Sequence, residues 1–308
     1  MRIVIDADFA GRTVKDWLYS HGVSRSLITR LKKLEDGITV NGEHATVRRL
    51  LACGDCLSLA LSDREADEND ALIPTPMPLD ILYEDDDLIA VSKPPDMATH
   101  PSLGHFTDTL ANGLCYYFHE RGQPFVFRAV NRLDRDTSGI VLVAKNQLAA
   151  SELTALMQCG RIRKTYIAVL NGVLNPPAGR IDANIRRREE SIMLREVCTG
   201  DGQTAVTAYE TICAAADGSA SVVRAEPITG RTHQLRVHFA SRGCPIAGDG
   251  LYGSAETEPT PYDRALTRHA LHAASLTVLR ESGALTLNAP LPEDIRRLCE
   301  QIKGTKWL

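Results

Sequence analysis

An acidic segment that ends in prolines divides this chain of 308 residues into a short and a long part. Residues 62–78 read SDREADENDALIPTPMP, with three prolines among the last five residues. Like charges and prolines favour an extended, solvated chain, which is typical of a linker between folded units. We therefore predict a small domain over residues 1–61, a linker over residues 62–78 and a larger domain over residues 79–308, with a hydrophobic core in each domain.

The charges of the chain are unevenly distributed. The formal net charge is −4, but residues 62–87 hold ten of the 39 acidic residues and only one basic residue. The rest of the chain holds 34 basic and 29 acidic residues, a net charge of +5. This distribution permits a polyanionic partner such as a nucleic acid, although it does not require one.

Composition and cysteine spacing favour a reducing compartment. Hydrophobic residues make up 44% of the chain, no run of about 18 apolar residues occurs, and the residues after Met1 lack the apolar core of a signal peptide. The eight cysteines are scattered, and the pair Cys53 and Cys56 has no second pair nearby that would complete a zinc site. We expect a cytoplasmic monomer with no membrane association and no bound metal.

The small domain combines two helices with short strands. The apolar spacing predicts one helix around residues 14–18 and a second helix that begins after Ser24. Short strands are predicted over residues 37–42, which end in an Asn-Gly turn, and over residues 56–61. The polar side of the second helix is basic and is either a phosphate-binding surface or a solvated face; its residues are Arg25, Arg30, Lys32 and Lys33.

Strands dominate the large domain. Apolar runs predict strands over residues 81–83, 88–92, 125–133, 140–144, 165–170, 205–212, 221–226 and 285–287, and one helix over residues 146–159. Few helices alternate with these strands, and the sequence has neither a P-loop nor a GxGxxG motif. The pattern favours an α+β fold, with a large mixed or antiparallel sheet flanked by helices, over a doubly wound parallel sheet.

A polar loop between two apolar runs carries the first candidate site. The segment VNRLDRDTSG, residues 130–139, places Asp134 between Arg132 and Arg135. We expect these cations to keep the carboxylate ionised, which is the state that a carboxylate nucleophile needs. The alternative is that Asp134 and Asp136 only shape a turn, which is a common role of aspartate.

A second candidate segment, TGRTHQLRVHFASRG, spans residues 229–243. It predicts a helix capped by Thr232, on which Arg236 is free to meet a carboxylate from elsewhere in the fold. His233 and His238 point about 140° apart on such a helix, so they do not form a two-histidine metal site.

The strand KTYIAVL, residues 164–170, carries a third candidate, Tyr166. An aromatic residue in a strand is either core packing or part of a site, and the strand pattern leaves both possibilities open. The residues by themselves therefore give an aspartate in a loop, candidate arginine partners and a tyrosine, but they do not name a reaction.

Five ordered segments nevertheless resemble the motifs of one enzyme family, the large-subunit-ribosomal-RNA type of pseudouridine synthases. The segments are NRLDRDTSG (131–139), KTY (164–166), TGRTHQLRVH (229–238), GDGLYG (248–253) and RHALHA (268–273). The family versions of the first three are HRLDxxTSG, KxY and TGRTHQ[IL]RVH. In addition, residues 1–61 resemble the S4 RNA-binding module that often precedes this catalytic domain.

The resemblance implies roles for individual residues. Asp134 matches the catalytic aspartate, Tyr166 the tyrosine placed against the target base, and Arg236 the arginine that pairs with the aspartate. Arg132 matches an arginine that holds the flipped nucleotide or fills its place. Substrate contacts are implied for three residues of the third motif: Arg231, His233 and Gln234. RNA contacts are implied for the basic residues of the S4-like domain: Arg25, Arg30, Lys32 and Lys33.

The implied fold is that of the pseudouridine synthases, and the implied reaction converts uridine to pseudouridine in RNA without a cofactor. The bond between C1′ and N1 breaks, the uracil turns, and C1′ joins C5. The target base must first be flipped out of its stack, at a cost of a few kcal/mol. Two points stay open: whether Asp134 attacks C1′ or C6, and whether Tyr166 or a water takes the C5 proton.

Two residues depart from the family pattern. Asn131 stands where histidine is usual, and Asp96 stands where the motif K-P-x-G-M has glycine. These changes put the local loop geometry in question but remove no catalytic side chain. Large-subunit ribosomal RNA is the expected substrate. The alternatives are a synthase for transfer RNA, a non-catalytic S4-type RNA-binding protein, and a hydrolytic glycosidase with Asp136 as its second carboxylate.

Overall fold

A computed structural model of the chain describes residues 1–61, 72–253, 258–281 and 283–304, with the side chain of Ser26 left out. The N-terminal part contains β1 (Arg2–Val4), α1 (Val14–Ser20), α2 (Arg25–Leu31), β2 (Ile38–Val40), β3 (Glu43–His44) and β4 (Cys56–Leu59). Its strands form an antiparallel sheet in the order β1-β4-β2-β3. The buried apolar residues between positions 5 and 61 form one core of their own.

Local sequence explains where these elements begin and end. The helix α2 begins where the Ser24 hydroxyl accepts a hydrogen bond from the Leu27 backbone N–H at 3.2 Å, which confirms the predicted cap. The Asn-Gly turn is also confirmed, because Asn41 (φ 54°) and Gly42 (φ 85°) both adopt the left-handed conformation that such a turn requires. The last strand ends at Leu59, two residues earlier than predicted.

The C-terminal part contains a second, larger sheet and a separate sheet of two strands. Its strands are β5 (Ile81–Glu84), β6 (Leu88–Lys93), β7 (Ser138–Ala144), β8 (Ile162–Asn171), β9 (Ala178–Asp182), β10 (Asn184–Arg187), β11 (Arg195–Cys198), β12 (Val206–Ala214), β13 (Ala220–Pro227), β14 (Leu271–Arg280) and β15 (Gly283–Asn288). Its helices are α3 (Leu110–His119), α4 (Gln147–Gln158), α5 (Gln234–Ser241), α6 (Pro261–Arg264) and α7 (Glu293–Lys303).

Nine of these strands form one mixed sheet in the order β5-β6-β7-β14-β8-β13-β12-β9, with β15 paired to β14, and β10 and β11 form the separate sheet of two strands. The pairing of β7 with β14 is parallel and the other pairings in this sheet are antiparallel. Val141 and Val143 of β7 face the core that includes α3 and α7, whereas Ile140 and Leu142 face the core that includes α4. The predicted α+β fold with a large mixed sheet is thereby confirmed.

The structure corrects the predicted strand over residues 125–133. Only Ala129 forms a bridge there, to Val143. The Asn131 side chain takes over the next positions, donating to Ile140 O and accepting from Leu142 N–H, both at 2.9 Å. A side-chain amide thus replaces part of the backbone ladder.

None of the helices within the described ranges is long and apolar enough to cross a lipid bilayer.

The predicted linker lies partly outside the described residues, which omit positions 62–71. Its described part, residues 72–78, lies against α3 and is not a free solvated segment. Asn112 in α3 donates to Ile73 O at 2.8 Å, and Leu72 is buried. Ile73 and the three prolines of this segment are exposed, so the segment contacts α3 on one side and is solvated on the other.

Gly139 is where β7 meets β14. Its φ is +113°, and a Cβ added there would lie 2.2 Å from the Ala273 carbonyl oxygen. We expect Gly139→Ala to lower the free energy of unfolding by at least about 2 kcal/mol, because it adds a backbone clash to an unfavourable φ. Urea denaturation measures this loss. Gly250→Ala is the control, since a Cβ there meets nothing within 4 Å; equal stability of the two variants would contradict the expectation.

Candidate active site

The loop that carries Asp134 is fixed from behind by a buried lysine. Lys93, at the end of β6, is fully buried, and its ammonium donates to the carbonyl oxygens of Pro94 (2.8 Å), Met97 (2.8 Å) and Arg135 (2.9 Å). Burial lowers the pKa of Lys93 to about 7, although the nearby carboxylates, including Asp134, oppose the shift. The loop therefore has a defined backbone position next to Asp134.

Arg236 connects two carboxylates, those of Asp249 and Asp134. Its Nε and Nη2 donate to the two carboxylate oxygens of Asp249, each at 2.7 Å, and its Nη1 lies 3.3 Å from Oδ2 of Asp134. Arg236 is 5% exposed. Burial disfavours its charge, but Asp249 and Asp134 outweigh burial and raise the pKa of Arg236. Burial likewise opposes ionisation of Asp249, but Arg236 outweighs it and holds the pKa of Asp249 below its usual value.

The cation beside Asp134 is therefore Arg236, and the expectation that Arg132 and Arg135 hold this carboxylate is wrong. Arg135 points away to the carboxylates of Asp96 (3.5 Å) and Asp136 (3.3 Å), and Arg132 is exposed. Neighbours in a tight turn project to different sides, so adjacency in sequence does not bring charges together. Asp96 adopts the left-handed conformation (φ 57°), so it fits the glycine position of the family motif.

Tyr166 lies in the middle of β8, between β13 and β14, and is 7% exposed. Burial raises the pKa of its hydroxyl, and the Asp134 carboxylate adds to that shift. The side chain is therefore a neutral phenol close to Asp134. This state suits a ring packed against a base better than a proton acceptor.

The third motif begins with an irregular turn. His233, not Thr232, occupies the N-cap position of α5, and it does so with φ 58° and without a side-chain cap. Its Nδ1 lies 2.8 Å from the Tyr252 hydroxyl and its Nε2 lies 3.9 Å from Oδ2 of Asp134. Arg231 is exposed, and its Nε donates to Thr204 O at 3.2 Å. His233 and Arg231 therefore stay candidates for substrate contact.

Gln234 does not fit the expected substrate contact. Its amide oxygen accepts from Thr229 Oγ1 (2.7 Å) and from Arg231 N–H (3.0 Å), and its amide nitrogen donates to Val206 O (2.9 Å) and Thr207 Oγ1 (3.1 Å). The side chain is buried, and these four bonds use its full hydrogen-bonding capacity. Gln234 therefore shapes the turn.

Two further residues, Arg268 and Asp249, hold the site, and the sequence alone did not predict a role for either of them. Arg268 pairs with Asp294 (2.8 and 3.0 Å) and donates to the backbone oxygen of Asp136 at 3.1 Å. Asp249 holds Arg236 through its two carboxylate oxygens. Arg268 lies in the family-like segment RHALHA, and Asp249 lies in the family-like segment GDGLYG. The resemblance of these segments assigns no individual role to either residue. The fold brings them to the loop from distant parts of the chain.

Two buried histidines behind the loop make stability depend on pH. His269 bonds Thr137 Oγ1 at 2.7 Å, His272 bonds Ser138 Oγ at 2.9 Å, and burial lowers the pKa of each histidine to about 4. The unfolded chain, with histidine pKa values of about 6.5, binds more protons between these limits. This stabilisation is therefore complete above about pH 6.5 and is lost as the pH falls towards 4.

We expect the free energy of unfolding to fall by roughly 2 kcal/mol for each of these histidines between pH 6.5 and 5. Urea denaturation across this range measures the slope. Burial also lowers the pKa of His100, His233 and His238, so His269→Asn removes one of several contributions and its slope is expected to be less steep than that of the wild type. A wild-type stability that does not change with pH would contradict the expectation.

The basic residues of the N-terminal part lie on and after α2. Arg25, Lys32 and Lys33 are exposed, and Arg30 is half-buried in a groove between α2 and α4. Leu148 of α4 packs against the N-terminal core, so the two parts are in contact. The three exposed cations are available to a ligand in solution.

A carboxylate paired with a buried arginine, next to a buried tyrosine on a mixed sheet, is an arrangement typical of enzyme sites. The sequence profile of the RNA pseudouridylate synthases matches residues 87–241, and the chain belongs to this family. It is an isomerase that converts uridine to pseudouridine in RNA.

Known proteins similar to this chain extend over most of its length. An uncharacterised RNA pseudouridine synthase of Bacillus subtilis, YjbO, is 38% identical over 294 residues, which span 95% of this chain and 99% of that protein. Ribosomal large subunit pseudouridine synthase D of Neisseria meningitidis is 34% identical and matches 91% of this chain and 75% of its own length. The solved structure of human RNA pseudouridylate synthase domain containing 1 has a TM-score of 0.56 and 26% identity, and the match covers 74% of this chain and 96% of that one.

Proposed function

We propose that the chain isomerises uridines of large-subunit ribosomal RNA and that Asp134 is the nucleophile. The ion pair between Asp134 and Arg236 is the observation that carries the catalytic part of this proposal. The buried guanidinium of Arg236 lies 3.3 Å from Oδ2 of Asp134, so it pairs with this carboxylate and fixes its orientation. The substrate part is supported by relatives that are named as large-subunit pseudouridine synthases.

In the proposed reaction Asp134 attacks either C1′ of the ribose or C6 of the uracil. The C1′–N1 bond breaks, the uracil turns within the cleft, and a bond forms between C1′ and C5. The C5 proton is then lost, N1 carries a proton in the product, and the carboxylate is released unchanged. The Tyr166 ring packs against the base during this sequence, and Arg132 lies at the exposed edge where it can fill the space that the flipped base leaves.

Release of tritium from RNA labelled at uridine C5 tests this proposal, because the label reports turnover at whichever uridine is the target. Unmodified ribosomal RNA and transfer RNA are assayed separately. Release from ribosomal RNA alone is expected. Release from transfer RNA alone would overturn the proposed substrate, and free uracil without tritium release would favour the glycosidase alternative.

The exposed cations of the N-terminal part are proposed to bind RNA phosphates, as the S4 resemblance implies. We expect the double variant Lys32→Glu/Lys33→Glu to weaken RNA binding by about tenfold or more and to reduce its salt dependence. A filter-binding titration at several salt concentrations measures both effects. Arg48→Glu/Arg49→Glu makes the same charge change elsewhere on this part, so an equal loss there would indicate only a general effect of net charge.

Three further properties of this chain remain predictions. These are the domain boundaries at residues 61 and 78, the monomeric state and the cytoplasmic location. Transfer RNA remains the alternative substrate, and the tritium assay distinguishes it from ribosomal RNA.

A further inference from the structure

Tyr252 joins the candidate active site to the hairpin formed by β10 and β11. The backbone N–H of Arg195 donates to the Tyr252 hydroxyl oxygen at 2.9 Å, and the same hydroxyl lies 2.8 Å from Nδ1 of His233. A backbone N–H can only donate, so the tyrosine oxygen is the acceptor towards Arg195. Within the described ranges the hydroxyl proton has no acceptor other than His233.

This chain of hydrogen bonds favours one tautomer of His233, because only that tautomer gives the Tyr252 proton an acceptor. If Nδ1 accepts the Tyr252 proton, the ring proton of the neutral imidazole is on Nε2. Burial lowers the pKa of His233, which favours this neutral form, although the Asp134 carboxylate opposes the shift. Nε2 is the nitrogen that faces Asp134, at 3.9 Å from Oδ2. Such contacts are often long without substrate and shorten when substrate binds.

The two donors near Asp134 converge on one oxygen. Arg236 Nη1 and His233 Nε2 both face Oδ2, whereas Oδ1 has no hydrogen-bond partner among the residues that the structure describes. A carboxylate held through one oxygen presents the other oxygen to an incoming carbon. His233 has a left-handed backbone, which costs conformational free energy in a residue other than glycine. Such strained residues cluster at active sites, which supports a functional role for His233.

We propose that His233, as the Nε2–H tautomer set by Tyr252, is a positioning residue that holds Oδ2 of Asp134 together with Arg236 and leaves Oδ1 to attack. The inference rests on the proposed role of Asp134 as nucleophile. In this role, which replaces the substrate contact implied by the resemblance, His233 acts through the carboxylate, so its removal slows the chemical step without removing RNA contacts.

Two amide substitutions at position 233 separate the two ring nitrogens. Gln places an amide nitrogen near the position of Nε2, whereas Asn reaches only the position of Nδ1. Asn also tolerates the left-handed backbone better than histidine does, so a loss in His233→Asn does not come from added strain. We expect His233→Asn to lower kcat about 100-fold with KM unchanged, and His233→Gln to retain kcat within about tenfold. Equal losses, or an active His233→Asn, would overturn the proposal.

Nitrogen-15 NMR of the histidine side chains gives a readout that does not depend on activity. The wild-type signals of His233 are expected to show a protonated Nε2 and an unprotonated Nδ1. Tyr252→Phe is expected to weaken this preference and to lower kcat. Tyr209→Phe is the matched control, because its hydroxyl bonds Pro176 O at 3.2 Å, outside the site. A protonated Nδ1 in the wild type would overturn the inference, whereas an active Asp134→Asn variant would overturn the proposed nucleophile instead.

Discussion

Asp134→Asn is expected to abolish pseudouridine formation while the fold and RNA binding persist. Asparagine has nearly the same shape, and its amide oxygen can still accept from Arg236, which in addition keeps both bonds to Asp249. A neutral amide is not an effective nucleophile, however, so we expect turnover to fall by about four orders of magnitude or more. Tritium release measures turnover, and a binding titration with the same RNA measures affinity.

Asp136→Asn is the matched control for this substitution. It makes the same chemical change two residues away, at a carboxylate that pairs with Arg135 at the surface. We expect this variant to keep most of its activity. A loss of RNA affinity of tenfold or more in Asp134→Asn, equivalent to about 1.4 kcal/mol, would make Asp134 a structural residue instead. Equal inactivity of both variants would indicate a pair of carboxylates, as in a glycosidase.

The sequence pointed to Asp134, Tyr166 and Arg236 as candidates, but not to the residues that hold them in place. The resemblance paired Arg236 with Asp134 across 102 residues, and the two side chains do meet in the structure. No spacing rule could find Asp249, because its bidentate bonds to Arg236 depend on how the loop after α5 folds back. The same applies to Lys93, whose three acceptors are backbone oxygens that leave no trace in sequence.

Apolar runs predicted several strands of the fold, whereas two helices with amphipathic spacing were missed. The strands with continuous apolar runs, such as β7 and β8, form as predicted. The helix α3 was missed although Leu110, Leu114 and Phe118 have helical spacing and are buried; its stripe also includes the buried polar residue Asn112, which caps the helix together with Thr109. The helix α7 was also missed, although Ile295, Leu298 and Ile302 have the spacing of an amphipathic helix and are all buried.

Asp249→Ala is expected to have the largest effect on stability of any single substitution at the site. It removes the bidentate partner of Arg236 and leaves a buried guanidinium with one ion-pair contact, to Asp134 at 3.3 Å, beside the Tyr252 ring, whose centroid lies 5.0 Å from Cζ. Removing one partner of a buried ion pair costs about 3–5 kcal/mol, because the remaining charge is uncompensated. We expect urea denaturation to show a loss of this size, and we expect kcat to fall because Arg236 is no longer oriented towards Asp134.

A double-mutant cycle with Arg236→Met tests the physical reason for this loss. The cost of Asp249→Ala is expected to come from the unpaired charge of Arg236, so removing that charge as well should recover part of the stability. The free energy of unfolding of the double variant should then fall by less than the sum of the losses in the two single variants. Additive losses would show instead that Asp249 acts through its bonds to the backbone N–H groups of Leu251 and Tyr252. Asp249→Asn keeps the shape and one acceptor, so its stability and kcat should lie between those of wild type and Asp249→Ala. A variant that loses stability but keeps kcat would mean that Asp134 alone suffices to orient Arg236.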